Sequence, residues 1–389
     1  MDNLFLDFKY LAMRSPHLLF LLSLLLSSTA CQQPSSTEKN NSEVSVSLQT
    51  MIGQMIMVGT RGMTMEEVSP TFQQQIKEGK IGGIVLFDYD VVKKKAHRNI
   101  QSPKQVKNLI AGLQQLAPTL MFMAVDQEGG RVNRLKPKYG FPTSVSAQYL
   151  GDLDHIDSTR YYANRTATTV NDLGFNVNFA PAVDVNYNPE SPAIGKIERS
   201  FSADPNKVIK HASILIKAQA GKGILSTLKH FPGHGSAQAD SHYGVTDITN
   251  YWQESELLPF EKLGKLNHPV AVMTAHVVNK NLDADYPATL SKKIITNILR
   301  EQLGFQGIIF SDDLQMQAVN NTFGFETILE KSIDAGVDVL VFGNNLEYDE
   351  RIPTKAIEVI TKLVAEGTIS KDRIRQSYER ILSAKEALQ

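Results

Sequence analysis

The chain has 389 residues, enough for one large barrel-type domain or two ordinary domains. Its 40 Lys and Arg residues balance 41 Asp and Glu residues without a long run of one sign, which argues against a nucleic-acid groove and favours a neutral or weakly charged partner. The single cysteine, Cys31, excludes an internal disulfide framework and a cysteine-rich metal site.

The amino-terminal segment has the layout of a signal peptide. Arg14 precedes the apolar run of residues 18–26, and small residues then lead to Cys31. The run is too short to span a bilayer as a helix. Because Cys31 directly follows residues 28–30, the segment resembles a bacterial lipoprotein cleavage site; a plain cleaved signal with an incidental cysteine is the alternative. We expect residues 1–30 to be the signal peptide of an exported lipoprotein, anchored to a membrane through Cys31 in the periplasm or at the cell surface.

A polar segment follows the cysteine. Residues 32–47 contain too few apolar side chains to form a packed core. We therefore interpret residues 31–47 as a lipid-anchored tether and residues 48–389 as the folded domain.

Short apolar runs then alternate with helical patterns. Eight runs lie at residues 53–59, 84–87, 120–125, 177–183, 224–230, 270–276, 307–311 and 337–342. Between them, apolar residues recur every three to four positions, as in residues 106–116, 162–173, 208–220 and 294–303. Apolar strands separated by helices indicate a parallel sheet buried on both faces, and eight such units predict an α/β fold with a single (β/α)8 TIM-type barrel. A doubly wound open sheet is the alternative, which the lack of a Gly-rich dinucleotide or phosphate loop disfavours.

Polar residues crowd at the carboxyl ends of five predicted strands. They are Asp126, Glu128 and Arg131 after the third, Asp184 and Asn186 after the fourth, Lys229 and His230 at the end of the fifth, His276 at the end of the sixth, and Asp312 and Asp313 after the seventh. An isolated Asp in such a position more often caps a helix, and an isolated His is usually a hydrogen-bonded core residue. Because the carboxyl ends of barrel strands meet at one rim, these residues together predict one pocket.

The residue types at this rim favour glycosyl transfer. A pocket without cysteine and without a GxSxG turn is poorly suited to acyl transfer through a nucleophilic side chain. A retaining glycosidase needs a carboxylate nucleophile and a second group that protonates the leaving oxygen. Metal-dependent hydrolysis is the rival, since His230 and His234 are four residues apart, but Pro232 and Gly233 between them prevent helical presentation. We expect neither a metal nor an organic cofactor.

Several motifs together resemble the family 3 β-N-acetylglucosaminidases among the glycoside hydrolases. The most specific is Lys-His-Phe-Pro-Gly-His-Gly at residues 229–235, followed by Asp240-Ser241-His242. Supporting motifs lie in the family's order at residues 126–134, 178–186, 199–201 and 310–314. The resemblance implies a retaining exo-enzyme that hydrolyses terminal, non-reducing, β-linked N-acetylglucosamine.

The resemblance also implies the catalytic roles. Asp312 is the nucleophile that forms a glycosyl-enzyme intermediate, and Asp313 is structural. His242 is the acid/base, and Asp240 orients its imidazole, which departs from the usual pair of carboxylates. Because residues 235–238 offer little to pack, we expect His242 to lie on a mobile loop that reaches the pocket when substrate binds.

Five further residues are the sugar-binding residues that the resemblance implies: Asp126, Arg134, Arg199, Lys229 and His230. Residues 196–198 contain an apparent two-residue insertion before Arg199, which is expected to reshape that loop. His234, Asp184, Glu128 and His276 are expected to support the polar rim through hydrogen bonds.

Three alternatives stay open. Related β-glucosidases carry their acid/base glutamate on a second domain, whereas this chain carries the Asp240-Ser241-His242 segment. A catalytically silent, lipid-anchored sugar-binding protein would be expected to lack Asp312 or His242. Phosphorolysis is possible because a histidine acid/base leaves the pocket less anionic than a glutamate does. A lipoprotein facing the cell wall suggests peptidoglycan fragments as substrate, with chitin oligosaccharides and glycan antennae as other carbohydrate candidates.

Overall fold

The protein is a nearly closed parallel barrel, seen in a computed structural model that describes residues 46–241 and 244–389. Its strands are β1 (Ile56–Gly59), β2 (Gly83–Leu86), β3 (Phe122–Val125), β4 (Val177–Asn178), β5 (Leu225–Phe231), β6 (Val270–Thr274), β7 (Ile309–Phe310) and β8 (Leu340–Phe342). They pair in the order β7-β6-β5-β4-β3-β2-β1-β8. A parallel bridge between Phe310 and Val339 joins the two outer strands. The predicted (β/α)8 barrel is confirmed.

Helices surround this barrel. They are α1 (Leu48–Gln54), α2 (Pro70–Lys77), α3 (Pro103–Leu116), α4 (Ala147–Leu153), α5 (Ile156–Asp172), α6 (Pro205–Ala220), α7 (Leu258–Gly264), α8 (Gln317–Asn320), α9 (Phe325–Ala335), α10 (Ile352–Ala365), α11 (Lys371–Glu386) and a π-helix, Lys293–Gln302. Single 3-10 turns lie at Pro137–Tyr139, Gly195–Ile197, Glu254–Leu257 and Ala288–Leu290. The apolar spacing correctly located α3, α5, α6 and the π-helix, because each buries one apolar stripe.

Two of the strands that are shorter than the predicted apolar runs have a local cause. The first run begins at residue 53, but Ser47 caps α1 by accepting a hydrogen bond from the Thr50 amide, and the helix continues to Gln54. The fourth run extends to residue 183, but β4 ends at Asn178, just before Pro181, which has no amide hydrogen for the ladder. Only an isolated bridge between Ala182 and Lys229 continues the pairing.

The core is apolar inside the barrel and between the strands and helices. The Phe310 ring packs edge-on against Phe122 and Phe179, with centroids 5.9 and 5.4 Å apart. These three side chains are at most 2% exposed. Apolar packing thus fills the barrel beneath the rim, and the polar residues of the predicted pocket lie at the carboxyl ends of the strands.

Three small strand pairs lie in the loops at that rim. Tyr89–Asp90 pairs with Lys95–Ala96, and Gln127–Gly129 pairs with Val132–Asn133, both antiparallel. Thr246–Asp247 pairs in parallel with Val277–Val278.

The predicted signal peptide and most of the predicted tether, with Cys31, lie outside the described residues. Across residues 46–241 and 244–389, every helix is too short or too polar to cross a bilayer.

Candidate active site

A cavity of about 300 Å³ opens at the carboxyl ends of the strands. All five predicted sugar-binding residues and the predicted nucleophile line it: Asp126, Arg134, Arg199, Lys229, His230 and Asp312. Apolar side chains complete its walls, namely Val85, Phe87, Val132, Phe179, Ile197, Met273, Met316 and Val341. The barrel therefore gathers residues from strands far apart in the sequence around one small pocket.

Lys229 lies at the centre of a buried charge network. Its Nζ atom donates a hydrogen bond to Asp126 Oδ1 at 2.8 Å and lies 2.7 Å from Glu128 Oε1. Burial alone raises the pKa of both carboxyls, but the nearby cations outweigh it: Lys229 and Arg134 hold the pKa of Asp126 well below its usual range, and Arg199 with Lys229 lowers that of Glu128 to about 2. Both carboxylates are thus ionised at neutral pH.

Arg199 completes this network from the loop after β4. Its guanidinium donates to both Glu128 oxygens, from Nε at 2.9 Å and from Nη2 at 2.7 Å, and from Nη1 to the Ala193 carbonyl at 2.9 Å. Burial lowers the pKa of Arg199, but the charge of Glu128 outweighs burial and raises it. The 3-10 turn Gly195–Ile197 carries the apparent insertion, and Arg199 still lines the cavity.

His230 is oriented by two partners on opposite sides of its ring. Its Nδ1 atom lies 2.8 Å from Asp184 Oδ2, and its Nε2 atom lies 3.1 Å from Arg199 Nη2. Because the guanidinium only donates, this pattern assigns the proton to Nδ1, which donates to the carboxylate.

Asp184 holds the turn that follows β5. Besides His230 Nδ1, it accepts hydrogen bonds at Oδ1 from the amides of His230 at 3.0 Å and His234 at 2.9 Å. Burial raises the pKa of Asp184, but His230 outweighs that effect and lowers it. Burial lowers the pKa of His234 to about 4, so this ring is neutral at pH 7. Its Nε2 atom lies 3.2 Å from Ser241 Oγ, which links the turn to the predicted catalytic segment.

Asp312 and Asp313 diverge at the end of β7. Both residues line the cavity, and Asp312 accepts a hydrogen bond at Oδ1 from the Asp313 amide at 2.8 Å. Asp313 Oδ1 instead accepts from the amides of Gln315 at 3.1 Å and Gly343 at 2.9 Å, and its carbonyl contacts His276 Nε2 at 3.0 Å. Asp313 therefore ties the turn after β7 to the end of β8.

The predicted acid/base pair is only partly described. Asp240 is half-buried and is not among the residues that line the cavity. Ser241 is buried beside His234. His242 lies outside the described residues, so the pairing of Asp240 with His242 stays a prediction.

One carboxylate and one amide side chain of the cavity wall were missed by the sequence prediction. Asp88 follows β2, is 1% exposed, pairs with Lys136, and has Oδ1 3.9 Å from Arg134 Nη1. Asn345 follows β8 and also lines the cavity. Both residues follow an apolar run, as do the predicted site residues after the third to seventh runs. The same rule, applied to the second and eighth runs, would have found Asp88 and Asn345.

In the part of the chain that the structure describes, no group of three or more His, Cys, Asp or Glu side chains is placed to hold a metal ion. His230 and His234, the pair that suggested a metal, have ring centroids 6.0 Å apart and are engaged by Asp184 and Ser241.

Known proteins are similar to this chain in sequence and in fold. The chain is 30% identical over 393 residues to Beta-hexosaminidase A of Pseudoalteromonas piscicida, covering 91% of this chain and 63% of that protein. It is 33% identical over 290 residues to a Beta-hexosaminidase of Pseudomonas aeruginosa strain LESB58, covering 73% of this chain and 80% of that protein. A glycoside hydrolase family 3 beta-N-acetylglucosaminidase from Paenibacillus sp. str. FPU-7 superposes with a TM-score of 0.80 at 30% identity, covering 88% of this chain and 63% of that one.

The chain thus spans less than two thirds of the length of two of these proteins. Residues 47–384 match the family described as "Glycosyl hydrolase family 3 N terminal domain". The resemblance drawn from the motifs is confirmed, and the chain belongs to glycosyl hydrolase family 3.

Proposed function

We propose that this protein is a retaining exo-β-N-acetylglucosaminidase. The observation that carries the proposal is the cavity in which Asp312 lies with the charge network of Asp126, Lys229 and Arg199. Relatives named as hexosaminidases and an N-acetylglucosaminidase of known structure support the same activity.

The size and lining of the cavity suit one terminal sugar. Its volume of about 300 Å³ is at the lower end of ligand pockets, and apolar side chains alternate with charged groups around it. Sugar hydroxyls both donate and accept hydrogen bonds, so a wall that offers carboxylates as well as Lys and Arg donors can bind several of them. A pocket that fits one sugar supports action on the terminal unit of a glycan, as in an exo-acting enzyme.

The proposed reaction has two steps. The Asp312 carboxylate attacks the anomeric carbon and forms a glycosyl ester, while the bond to the leaving oxygen breaks and that oxygen takes a proton from His242. His242 then accepts a proton from water as the water oxygen attacks the anomeric carbon, which releases the sugar and restores the Asp312 carboxylate. Asp240 orients the His242 ring and stabilises its cationic form.

The amino-terminal residues add a proposal on location. An apolar leader ending at Cys31 supports export, lipidation of that cysteine and attachment to a membrane. A lipoprotein facing the cell wall would meet peptidoglycan fragments. Metabolic labelling with a radioactive fatty acid tests this: wild-type protein should carry label that Cys31→Ser lacks, and unlabelled wild-type protein would refute the anchor.

The activity is tested with a chromogenic β-N-acetylglucosaminide beside the matching β-glucoside. Wild-type protein should cleave the N-acetyl substrate, Asp312→Ala should abolish cleavage, and His242→Ala should reduce it by about 10²–10⁴-fold. Asp172→Ala, at an exposed position of α5, is the matched control. Cleavage of neither substrate would favour a sugar-binding protein, and cleavage of the glucoside alone would favour a β-glucosidase. A sugar phosphate formed in phosphate buffer would indicate phosphorolysis.

A further inference from the structure

We propose that Asp88 is a further substrate-binding residue, which together with Arg134 binds one hydroxyl group of the terminal sugar. The inference rests on the proposed N-acetylglucosaminidase function and adds a residue to its sugar site. Asp88 lies outside the motifs that carry the family resemblance.

The strand that precedes Asp88 places it at the cavity. Asp88 follows β2, whose Leu86 lies opposite Val125 of β3 in the parallel ladder. Asp126 comes directly after Val125, so Asp88 and Asp126 stand at neighbouring strand ends of one rim. Both residues line the cavity. Asp88 therefore extends the charged wall of the cavity from β3 to β2.

The two oxygens of the Asp88 carboxylate have different surroundings. Oδ2 pairs with the Lys136 ammonium group. Oδ1 is buried and has no hydrogen-bond partner among the described residues. Arg134 Nη1 lies 3.9 Å from Oδ1, which is too far for a hydrogen bond. A buried acceptor without a partner costs free energy, so Oδ1 would gain from a donor that a ligand brings into the cavity.

The guanidinium group of Arg134 is in the complementary state. Its Nε atom is also buried, and it too has no hydrogen-bond partner in the part of the chain that the structure describes. Nη2 lies 3.5 Å from Asp126 Oδ2, so the guanidinium stands between two carboxylates at ion-pair distances. The Arg134 side chain is 29% exposed and that of Asp88 is 2% exposed. We therefore expect the guanidinium to shift when a ligand enters, while Lys136 and burial hold Asp88 in place.

A sugar hydroxyl provides a partner for both side chains. A hydroxyl group donates one hydrogen bond and also accepts, whereas a carboxylate only accepts and a guanidinium only donates. One hydroxyl that donates to Asp88 Oδ1 and accepts from Arg134 Nε gives each of these atoms its missing partner. Hydrogen bonds to ionised groups are stronger than those between neutral groups, so this contact distinguishes a sugar that carries the hydroxyl from one that lacks it.

The test combines two forms of the enzyme with four substrates. The substrates are the chromogenic β-N-acetylglucosaminide and its 3-deoxy, 4-deoxy and 6-deoxy analogues, and the enzymes are wild-type protein and Asp88→Asn, which replaces one acceptor oxygen with an NH2 group. For the parent substrate we expect kcat/KM to be about tenfold lower in Asp88→Asn, as for the loss of a hydrogen bond to a charged group. For one analogue the two enzymes should differ by less than about twofold, because that analogue lacks the hydroxyl; for the other two the tenfold difference should remain.

Arg134→Gln is a second variant, which tests the same site if Asp88→Asn does not fold. It should be insensitive to the loss of the same hydroxyl group. The matched control is Asp154→Asn, because Asp154 also pairs with lysines, Lys207 and Lys210, but is exposed at the end of α4 and does not line the cavity. This control should keep wild-type kcat/KM on all four substrates.

Three results would overturn the inference alone. They are wild-type kcat/KM for the parent substrate in Asp88→Asn, an equal loss on all four substrates, which a purely structural role predicts, and dependence on different hydroxyls in the Asp88 and Arg134 variants. Absence of cleavage by wild-type protein would overturn the proposed function and this inference with it.

Discussion

Arg199 donates two hydrogen bonds, of 2.9 and 2.7 Å, to the Glu128 carboxylate, and Lys229 Nζ lies 2.7 Å from the same carboxylate. The side chains of Arg199, Glu128 and Lys229 are 10%, 6% and 2% exposed. The charges of the two buried cations are therefore neutralised by the carboxylates of Glu128 and Asp126. The network therefore has a structural role beneath the cavity.

We expect Glu128→Gln to destabilise the fold by about 3 kcal/mol, because removing one partner leaves buried cations uncompensated. Denaturant unfolding measures the free energy change. Glu190→Gln, which removes the exposed partner of Lys196, should cost less than about 1 kcal/mol. Equal losses in the two variants would show that the buried network contributes no special stability.

Asp184→Asn tests the support of His230 and His234. A carboxylate accepts all three hydrogen bonds, whereas an amide must turn its NH2 group towards at least one donor. We expect kcat/KM to fall with a stability loss of about 2 kcal/mol, in the range of hydrogen bonds to charged groups. Steady-state kinetics and denaturant unfolding of the same preparations measure both; unchanged values for Asp184→Asn would contradict the anchoring role.

Gly235 permits a close backbone approach below the predicted catalytic segment. A Cβ atom at this position would lie 1.8 Å from the Val185 carbonyl oxygen, so Gly235→Ala must displace the turn. We expect a loss of kcat larger than any rise in KM, since the segment bearing Asp240 and His242 would shift. Gly324→Ala is the control, because nothing lies within 4 Å of an added Cβ there. Wild-type kcat in Gly235→Ala would refute the prediction.

Glu256 gives the fold a defined pH dependence. Burial raises its pKa from 4.5 to about 7. A raised pKa means that the folded state binds more protons than the unfolded state between these values, so stability is full below about pH 4.5 and falls as pH rises through 7. We expect Glu256→Gln to remove that decline, whereas Glu254→Gln, exposed on the same 3-10 turn, keeps it. Thermal unfolding between pH 4.5 and 8 measures the slopes; identical slopes in wild-type protein and Glu256→Gln would exclude Glu256 as the source.

Residues at the strand ends show which parts of the cavity could be predicted from the sequence. Lys229, His230 and Asp312 stand at the ends of apolar runs, so the barrel topology alone predicted that they share one pocket. Asp88 and Asn345 follow the same rule but stand in loops whose motifs carried no family signal. The hairpin of residues 89–96 beside them could not be predicted, because its anchor joins Asp90 to Arg61, 29 positions away.

The sequence by itself determined the fold class, the order of the strands along the chain and the residue types at the rim, because apolar periodicity and strand ends are local properties of a chain. Only the tertiary structure decided which charges meet: Glu128 pairs with Arg199 across 71 positions and Lys229 with Asp126 across 103. Such pairs form because the eight strands pair in register around the barrel, which brings strand ends remote in sequence to one rim and buries them there. The ionisation of the site follows from that burial and proximity, which no local pattern records.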